Sequence, residues 1–316
     1  MEQILTTPEA GIERPKRHSG ATVRNPQTAP PPEVRPTILQ DLREIVFDIR
    51  NCRDLIYQLT LRDIRIRYKQ AVFGFAWALI LPMAVVLAGL AVRYAIAFYS
   101  GRGLAQGQIA GMAIKAVPWA FFVGCINTTT PSLTSSISLV TKIYFPREVL
   151  PLSAILAQTI DSLIGGVIVT IALGFLGATM SAYVLWVPVL LALLWILSLA
   201  FGLMLSCANI FFRDVKYLVQ VFLTFGIFVT PVMLDATMYG PVGSRIMMLN
   251  PVAPILEGLR LSVIRHHNLL HELNAPAGFL FWRPWYLAYV AAWAIGGLVV
   301  SALVFHRSER RFAELV

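Results

Sequence analysis

Between residues 71 and 306 the chain carries six apolar blocks, each with about the 20 apolar residues that a helix needs to cross about 30 Å of hydrocarbon. Nothing else in the sequence restricts the fold as tightly. Inside a bilayer every backbone amide and carbonyl must be satisfied by the protein itself, so blocks of this length become helices. Spans are expected near 71–98, 112–138, 150–176, 183–207, 217–238 and 285–306. Internal prolines (Pro82, Pro118, Pro188, Pro231) are tolerable because neighbouring helices can bond the freed carbonyls. Small residues at Gly165, Gly166, Gly174, Gly202, Gly296 and Gly297 would let helices approach closely. Composition agrees: 57% of residues are hydrophobic and 14% charged, against about 45–50% and about 25% in soluble domains.

The flanks read differently. Residues 1–40 are polar and rich in proline, so a disordered cytoplasmic tail is expected there, with no apolar core of a cleavable leader. Residues 41–70 place Leu42, Ile45, Val46, Ile49, Ile56 and Leu59 at helical spacing, with Arg43, Asp48, Arg50, Asp54 and Arg62 filling the other face. An amphipathic helix lying in the membrane interface accounts for that pattern, as does a surface helix packed on protein. Twelve of the 26 Lys and Arg residues precede residue 71, interspersed with acids, so the net charge of +9 signals cytoplasmic retention and anionic headgroups rather than nucleic acid. With the amino terminus cytoplasmic, the same side receives Lys142, Arg147, Arg213, Lys216, Arg307, Arg310 and Arg311, and both termini lie inside. A short tail, 307–316, closes the chain. Cys52, Cys125 and Cys207 are far apart and show no ligand spacing.

Two polar interruptions, TKIYFPREVLP (141–151) and ANIFFRDVKYL (208–218), are the well-charged short connections, and both fall on the inner side. The connection 235–284 is too long for a turn and too apolar for a linker. Ile246, Met247, Leu249, Val252, Ile255, Leu256, Leu259, Val263 and Ile264 suit one or two short helices re-entering the outer leaflet. A gate at the outer mouth and an external hairpin without gating both fit.

Few residues suggest chemistry. No P-loop, G-x-S-x-G or H-E-x-x-H motif occurs. His267 and His271 stand four apart, the spacing of two ligands on one helix face, but no third ligand is apparent, and polar loop residues are the plainer reading. Arg93 and Asp161 lie within spans, where a charge is expensive. Arg93 either snorkels to the outer headgroups or faces a polar pathway, and Asp161 is expected toward the bundle interior or the inner interface. Phe98, Tyr99, Trp119, Phe121 and Phe122 cluster near the outer ends of the first two spans, as a lipid-facing belt or as stacking surfaces for sugar rings. Arg62, Arg65, Arg67 and Lys69 precede the first span at headgroup height, where guanidinium groups suit a phosphate or pyrophosphate.

Four stretches carry a family resemblance: LTLRDIRIRYKQAVFGFAWALILP (59–82), VPWAFFVGCINTTTPSLTSSISLVTKIYFPREVLPLSAILAQTIDSLIG (117–165), NIFFRDVKYLVQVFLTFGIFVTPVM (209–233) and LNPVAPILEGLR (249–260). In content, order and spacing they resemble the membrane-spanning subunit of bacterial polysaccharide ABC exporters of the ABC-2 type. The resemblance implies an all-α integral membrane protein of the inner membrane. It would have six transmembrane helices, an amino-terminal interface helix and external gate helices between spans five and six. It implies a homodimer with two copies of a separate ATPase subunit, which holds the ATP and Mg, leaving no cofactor or metal on this chain and no covalent chemistry. Lys142, Tyr144, Phe145, Pro146, Arg147 and Glu148 would form the coupling helix on the ATPase, with Phe212, Arg213 and Asp214 close by. Arg62, Arg65, Arg67 and Lys69 would meet the headgroup or pyrophosphate of a lipid-linked glycan. Arg93, Phe98, Tyr99, Trp119 and Phe122 would line the glycan path, and Asn250, Pro251, Glu257 and Arg260 would belong to the gate. An ABC-2 exporter of drugs or lipids is the alternative. A membrane-embedded glycosyl- or phosphotransferase fits less well, since the inner loops are basic and aromatic rather than rich in clustered carboxylates.

Overall fold

A computed structural model describes residues 38–69, 77–101, 106–137, 139, 145–175 and 181–315. Two amphipathic helices, α1 (Ile38–Asn51) and α2 (Arg53–Tyr68), come first. They take the place of the single helix expected over 41–70. The chain turns at Cys52, yet Cys52 N–H still bonds Asp48 and Ile56 N–H bonds Cys52, so the break is slight. α1 begins at Ile38, inside the segment expected to be tail; residues 1–37, with the rest of that tail, lie outside the described residues. Ile45, Ile56 and Leu59 are buried against protein, while Val46, Phe47, Tyr57 and Ile66 remain exposed. Both apolar surfaces are therefore used, one by the core and one left open.

The bundle follows: α3 (Trp77–Ser100), α4 (Gln106–Thr129), α5 (Val149–Phe175), α6 (Trp186–Phe211) and α7 (Val215–Val229). Then come two short helices, α8 (Gly240–Met248) and α9 (Val252–Val263), and a small antiparallel hairpin, β1 (Leu273–Asn274) with β2 (Leu280–Trp282). The last helix, α10 (Trp285–Leu315), runs through the residues expected to form a carboxyl-terminal tail. Four stretches are long and apolar enough to cross a membrane: Gly107–Thr129, Val149–Phe175, Ala182–Phe211 and Trp285–Glu309. Two further apolar stretches, Met83–Tyr99 and Val215–Val229, are shorter among the described residues. The chain is a multi-pass membrane protein.

Proline explains where two helices stop early. The second span was expected to reach residue 138, yet α4 ends at Thr129, two residues before Pro131. A residue preceding proline is driven out of the helical region, and Pro131 lacks the amide needed to continue. Thr128, Thr129 and Thr130 each turn a hydroxyl back onto the carbonyl four residues earlier, at 2.7–2.9 Å. The fifth span likewise ends at Val229 rather than 238. Thr230, before Pro231, is extended (φ −114°, ψ 150°).

Two apolar clusters hold the bundle. The larger joins α4, α6, α9, β2 and α10 through Trp119, Leu194, Leu197, Ile255, Leu256, Trp282 and Val290. The smaller gathers Ile45, Leu59, Phe145, Val149, Leu203, Cys207 and Phe305 at the end that carries α1, α2 and the close of α10. α6 lies along α10 over most of its length. Among the glycines expected to allow close approach, Gly202 does so: a Cβ there would meet Thr129 Oγ1 at 2.8 Å. Gly166, Gly174 and Gly296 face open space. Gly124, not singled out from sequence, seats Gln158 in the same way.

Candidate functional site

Ionic groups concentrate at the two ends of the bundle. At the end carrying α8, α9 and the hairpin, the turn after α7 brings Asp235 between α3, α4 and α9. Lys115 Nζ of α4 lies 2.8 Å from Asp235 Oδ1, Arg93 Nη2 of α3 lies 3.1 Å away and Arg260 Nε of α9 3.5 Å. Glu257, one helical turn before Arg260, accepts from its Nε at 2.7 Å and stands 3.7 Å from Lys115. Arg93 Nε also donates to the Met233 carbonyl at 2.8 Å. Three cations face two carboxylates, and Lys115 and Glu257 are fully buried. Gly111 leaves room for the Arg260 stem, since a Cβ there would come within 3.1 Å of its Cδ. Charges withdrawn from water this completely persist only when paired, so the cluster fixes α9 against α3 and α4.

Arg93 is thus buried and paired with Asp235. Glu257 and Arg260, expected at a gate, are anchored in the core. Asn250 accepts from Val252 N–H at 3.1 Å and caps the start of α9 beside Pro251, and every residue of Val252–Ser262 is buried. Lys115 escaped the sequence reading, although a lysine amid an apolar span was signal enough. His267 and His271 do not share a helix face: the His267 ring meets the His271 carbonyl at 3.0 Å, in the loop after α9.

At the opposite end, α2 packs along α5. Arg67 donates to Asp161 and, at 2.9 Å, to Gln158 Oε1, and Tyr68 donates to the other Asp161 oxygen at 2.6 Å. Asp161 therefore faces the interior as expected, and its neutralising partner is one of the four cations assigned to headgroups. Burial first, then the bond to Asp161, pushes the Tyr68 hydroxyl far up in pKa, so it stays a donor. Arg62 is taken by neighbouring Asp63 at 2.9 Å. Arg65 and Lys69 are exposed, with no carboxylate in ion-pair range among the described residues.

Beside this pair opens a cleft of about 350 Å³. Arg62, Asp63, Ile66 and Arg67 form one wall, Asn127 and Thr128 of α4 another, and Ser132, Ser135, Ser136 and Ser153 the floor. Hydroxyls, an amide and the guanidinium N–H groups left over by Asp63 and Asp161 suit a hydroxyl-rich ligand carrying an anionic group, with Asp63 in the same lining. A second cleft of about 320 Å³ shares Asn127 and Pro131 and reaches Lys216, Tyr217 and Gln220 of α7.

The segments expected to meet a partner lie at this same end. Lys142 and Tyr144 fall outside the described residues. Phe145 is buried with Val149, and Pro146 is half-buried. Arg147 reaches α10: its N–H donates to Glu309 Oε1 at 3.2 Å and its guanidinium to the Glu309 carbonyl at 3.0 Å. Glu148 is buried and meets His306 Nδ1 at 3.2 Å. The FFRD segment is a tight turn between α6 and α7, with Phe212, Arg213 and Asp214 exposed. Asn209 holds it, donating to Thr134 Oγ1 and accepting from Lys216 N–H, both at 3.2 Å. Of the residues expected along a glycan path, Trp119 and Phe122 are buried and stack at 6.0 Å, while Phe98 and Tyr99 are exposed. Burial thus separates the first pair from the second. Among the described residues one group has metal-ligand proximity, Glu148, His306 and Glu309.

Comparison with known proteins adds what geometry does not. The family model for the ABC-2 type transporter matches residues 54–264. An O-antigen export system permease protein RfbA of Klebsiella pneumoniae is 22% identical over 83% of this chain and 95% of its own length. One from Myxococcus xanthus is 22% identical over 75% of this chain and 92% of its own length.

Proposed function

The chain belongs to the ABC-2 type transporter family, and from that premise we propose that it is the permease subunit of an exporter of lipid-linked polysaccharide of the O-antigen type. The observation that carries this reading is the end-to-end similarity to O-antigen export permeases, over 95% and 92% of their lengths. The cleft beside α2 supports it, because a carrier-linked glycan presents an anionic phosphate next to hydroxyl-rich sugars.

The chain spans the inner membrane six times, α3 and α7 being the first and fifth spans, with both termini cytoplasmic. It pairs with a second copy and with two ATPase subunits, which bind ATP and Mg. α1 and α2 lie in the inner interface, with Val46, Phe47, Tyr57 and Ile66 toward lipid. Arg65 and Lys69 attract the anionic carrier, and the cleft edged by Arg62 and Arg67 receives its phosphate. A glycan is too polar for hydrocarbon, so the two copies enclose a hydrated route. The exposed FFRD turn and the Lys142–Glu148 segment meet the ATPase, whose closure shifts the helices between two states. Asn250–Arg260 closes the outer side.

Removing the chain from its host should leave polymer on its carrier inside the cell, and the native chain should restore surface polymer. Undiminished surface polymer without the chain would overturn the reading. Within the complex, Arg147→Glu sets a carboxylate against Glu309, and export per ATP should fall roughly tenfold, within the usual range of a coupling energy, with insertion intact.

A further inference from the structure

The cytoplasmic close of α10 carries a set of ionic contacts that the reading above leaves unused. Arg307 Nε and Nη2 donate to Asp41 Oδ2 of α1 at 3.0 and 2.9 Å. On the preceding residue, His306 turns Nδ1 to Glu148 at 3.2 Å, and its Nε2 lies 3.8 Å from Glu44 of α1. Glu309 completes the group through the Arg147 N–H and guanidinium. Contacts from a single turn of α10, His306 to Glu309, thus join three elements that the sequence keeps far apart. Asp41 and Glu148 are both buried, so neither carboxylate finds water as a substitute partner. Beneath them Ile45, Phe145, Val149 and Phe305 form one apolar cluster, so the join is packed as well as charged.

From this geometry we infer that the end of α10 is a relay, in which His306, Arg307 and Glu309 act as positioning residues that make α1 move with the Arg147–Glu148 segment. The inference rests on the proposed role of that segment as the place where the ATPase pushes. Its consequence is that nucleotide state sets the position of the interface helix, and hence the opening where a lipid-linked substrate is taken up. Paired charges suit the task because a network with two discrete arrangements can carry a displacement, whereas a flexible link would dissipate it. Arg307 is the informative member. It is more than half exposed, so replacing it disturbs packing little, while its loss strands a buried aspartate.

The test uses the assembled complex with its ATPase in lipid nanodiscs, carrying an environment-sensitive fluorophore on Arg43→Cys in a Cys52→Ser background. Arg43 is exposed on α1 and makes none of these contacts. Vanadate trapping of the ATPase should shift the emission in this parent. Arg307→Glu should abolish the shift, the exchange Asp41→Arg with Arg307→Asp should restore most of it, and Arg307→Lys should retain part. A parent whose emission ignores nucleotide overturns the relay, as does a full shift in Arg307→Glu or an assembled exchange variant that stays silent. Export of a lipid-linked glycan by the same parent is scored separately. A parent that shifts but exports none counts against the proposed cargo, and one that exports without shifting counts against the relay alone.

Discussion

The two ends of the bundle hold comparable numbers of charges and use them oppositely. Around Asp235, itself slightly exposed, three cations and a second acid are withdrawn from water, and Lys115 and Glu257 have no exposed surface. Around the close of α10, buried Asp41 and Glu148 pair with His306 and Arg307, which remain partly in solvent. A charge in the first group has no alternative partner, so the helices it joins stay joined. In the second, His306 and Arg307 can turn toward solvent, whereas the buried carboxylates Asp41 and Glu148 depend on them for a partner. One end is therefore built to hold and the other to re-form, which is where a partner's motion can be received.

The largest effect tests the closed end. Asp235→Asn leaves three cations against Glu257 alone, and breaking a buried pair typically costs about 3–5 kcal/mol, read as a lowered Tm in detergent. Lys115→Met should cost less than half as much, because it leaves two cations facing two acids. Equal costs would show that charge balance does not govern this cluster.

Asp161→Asn comes next. It weakens the bonds from Arg67 and Tyr68, worth about 1.5–3 kcal/mol for bonds to a charged group, and should loosen α2 from α5, seen as faster amide exchange in α2 alone. Exchange spreading evenly over the bundle would place this contact with the closed end.

Neutralising the two free cations is a smaller change. Arg65→Gln with Lys69→Gln should weaken binding to anionic vesicles by about 1 kcal/mol per charge, with the difference fading at high salt. Unchanged binding would mean that the fixed guanidinium groups of Arg62 and Arg67 carry the attraction. At the bottom of the scale, Asp54→Asn removes an ion pair whose side chains are 84% and 95% exposed, and stability should move by less than about 0.5 kcal/mol. A larger loss would show that α2 meets something beyond this chain.

How much was legible in advance follows the range of the interaction. Apolar blocks, the amphipathic helices before them and the short helices within 235–284 were readable because helical periodicity is a local property. Helix ends were misjudged at Thr129 and Val229, where Pro131 and Pro231 stop helices that hydropathy alone would extend. The cations before the first span looked equivalent, yet Arg62 and Arg67 are bound to carboxylates and Arg65 and Lys69 are exposed. Trp119 and Phe98 looked alike too, and burial separates them.

Hydropathy and the order of the four family-like stretches pointed to a multi-pass helical membrane protein of the ABC-2 type, because each depends on residues close together in the chain. Which charge answers which was settled by folding. Asp235 meets Lys115 across 120 positions, and Arg307 meets Asp41 across 266. The cost of burying a charge can be read from its own segment, but the partner that offsets it is chosen by how helices pack.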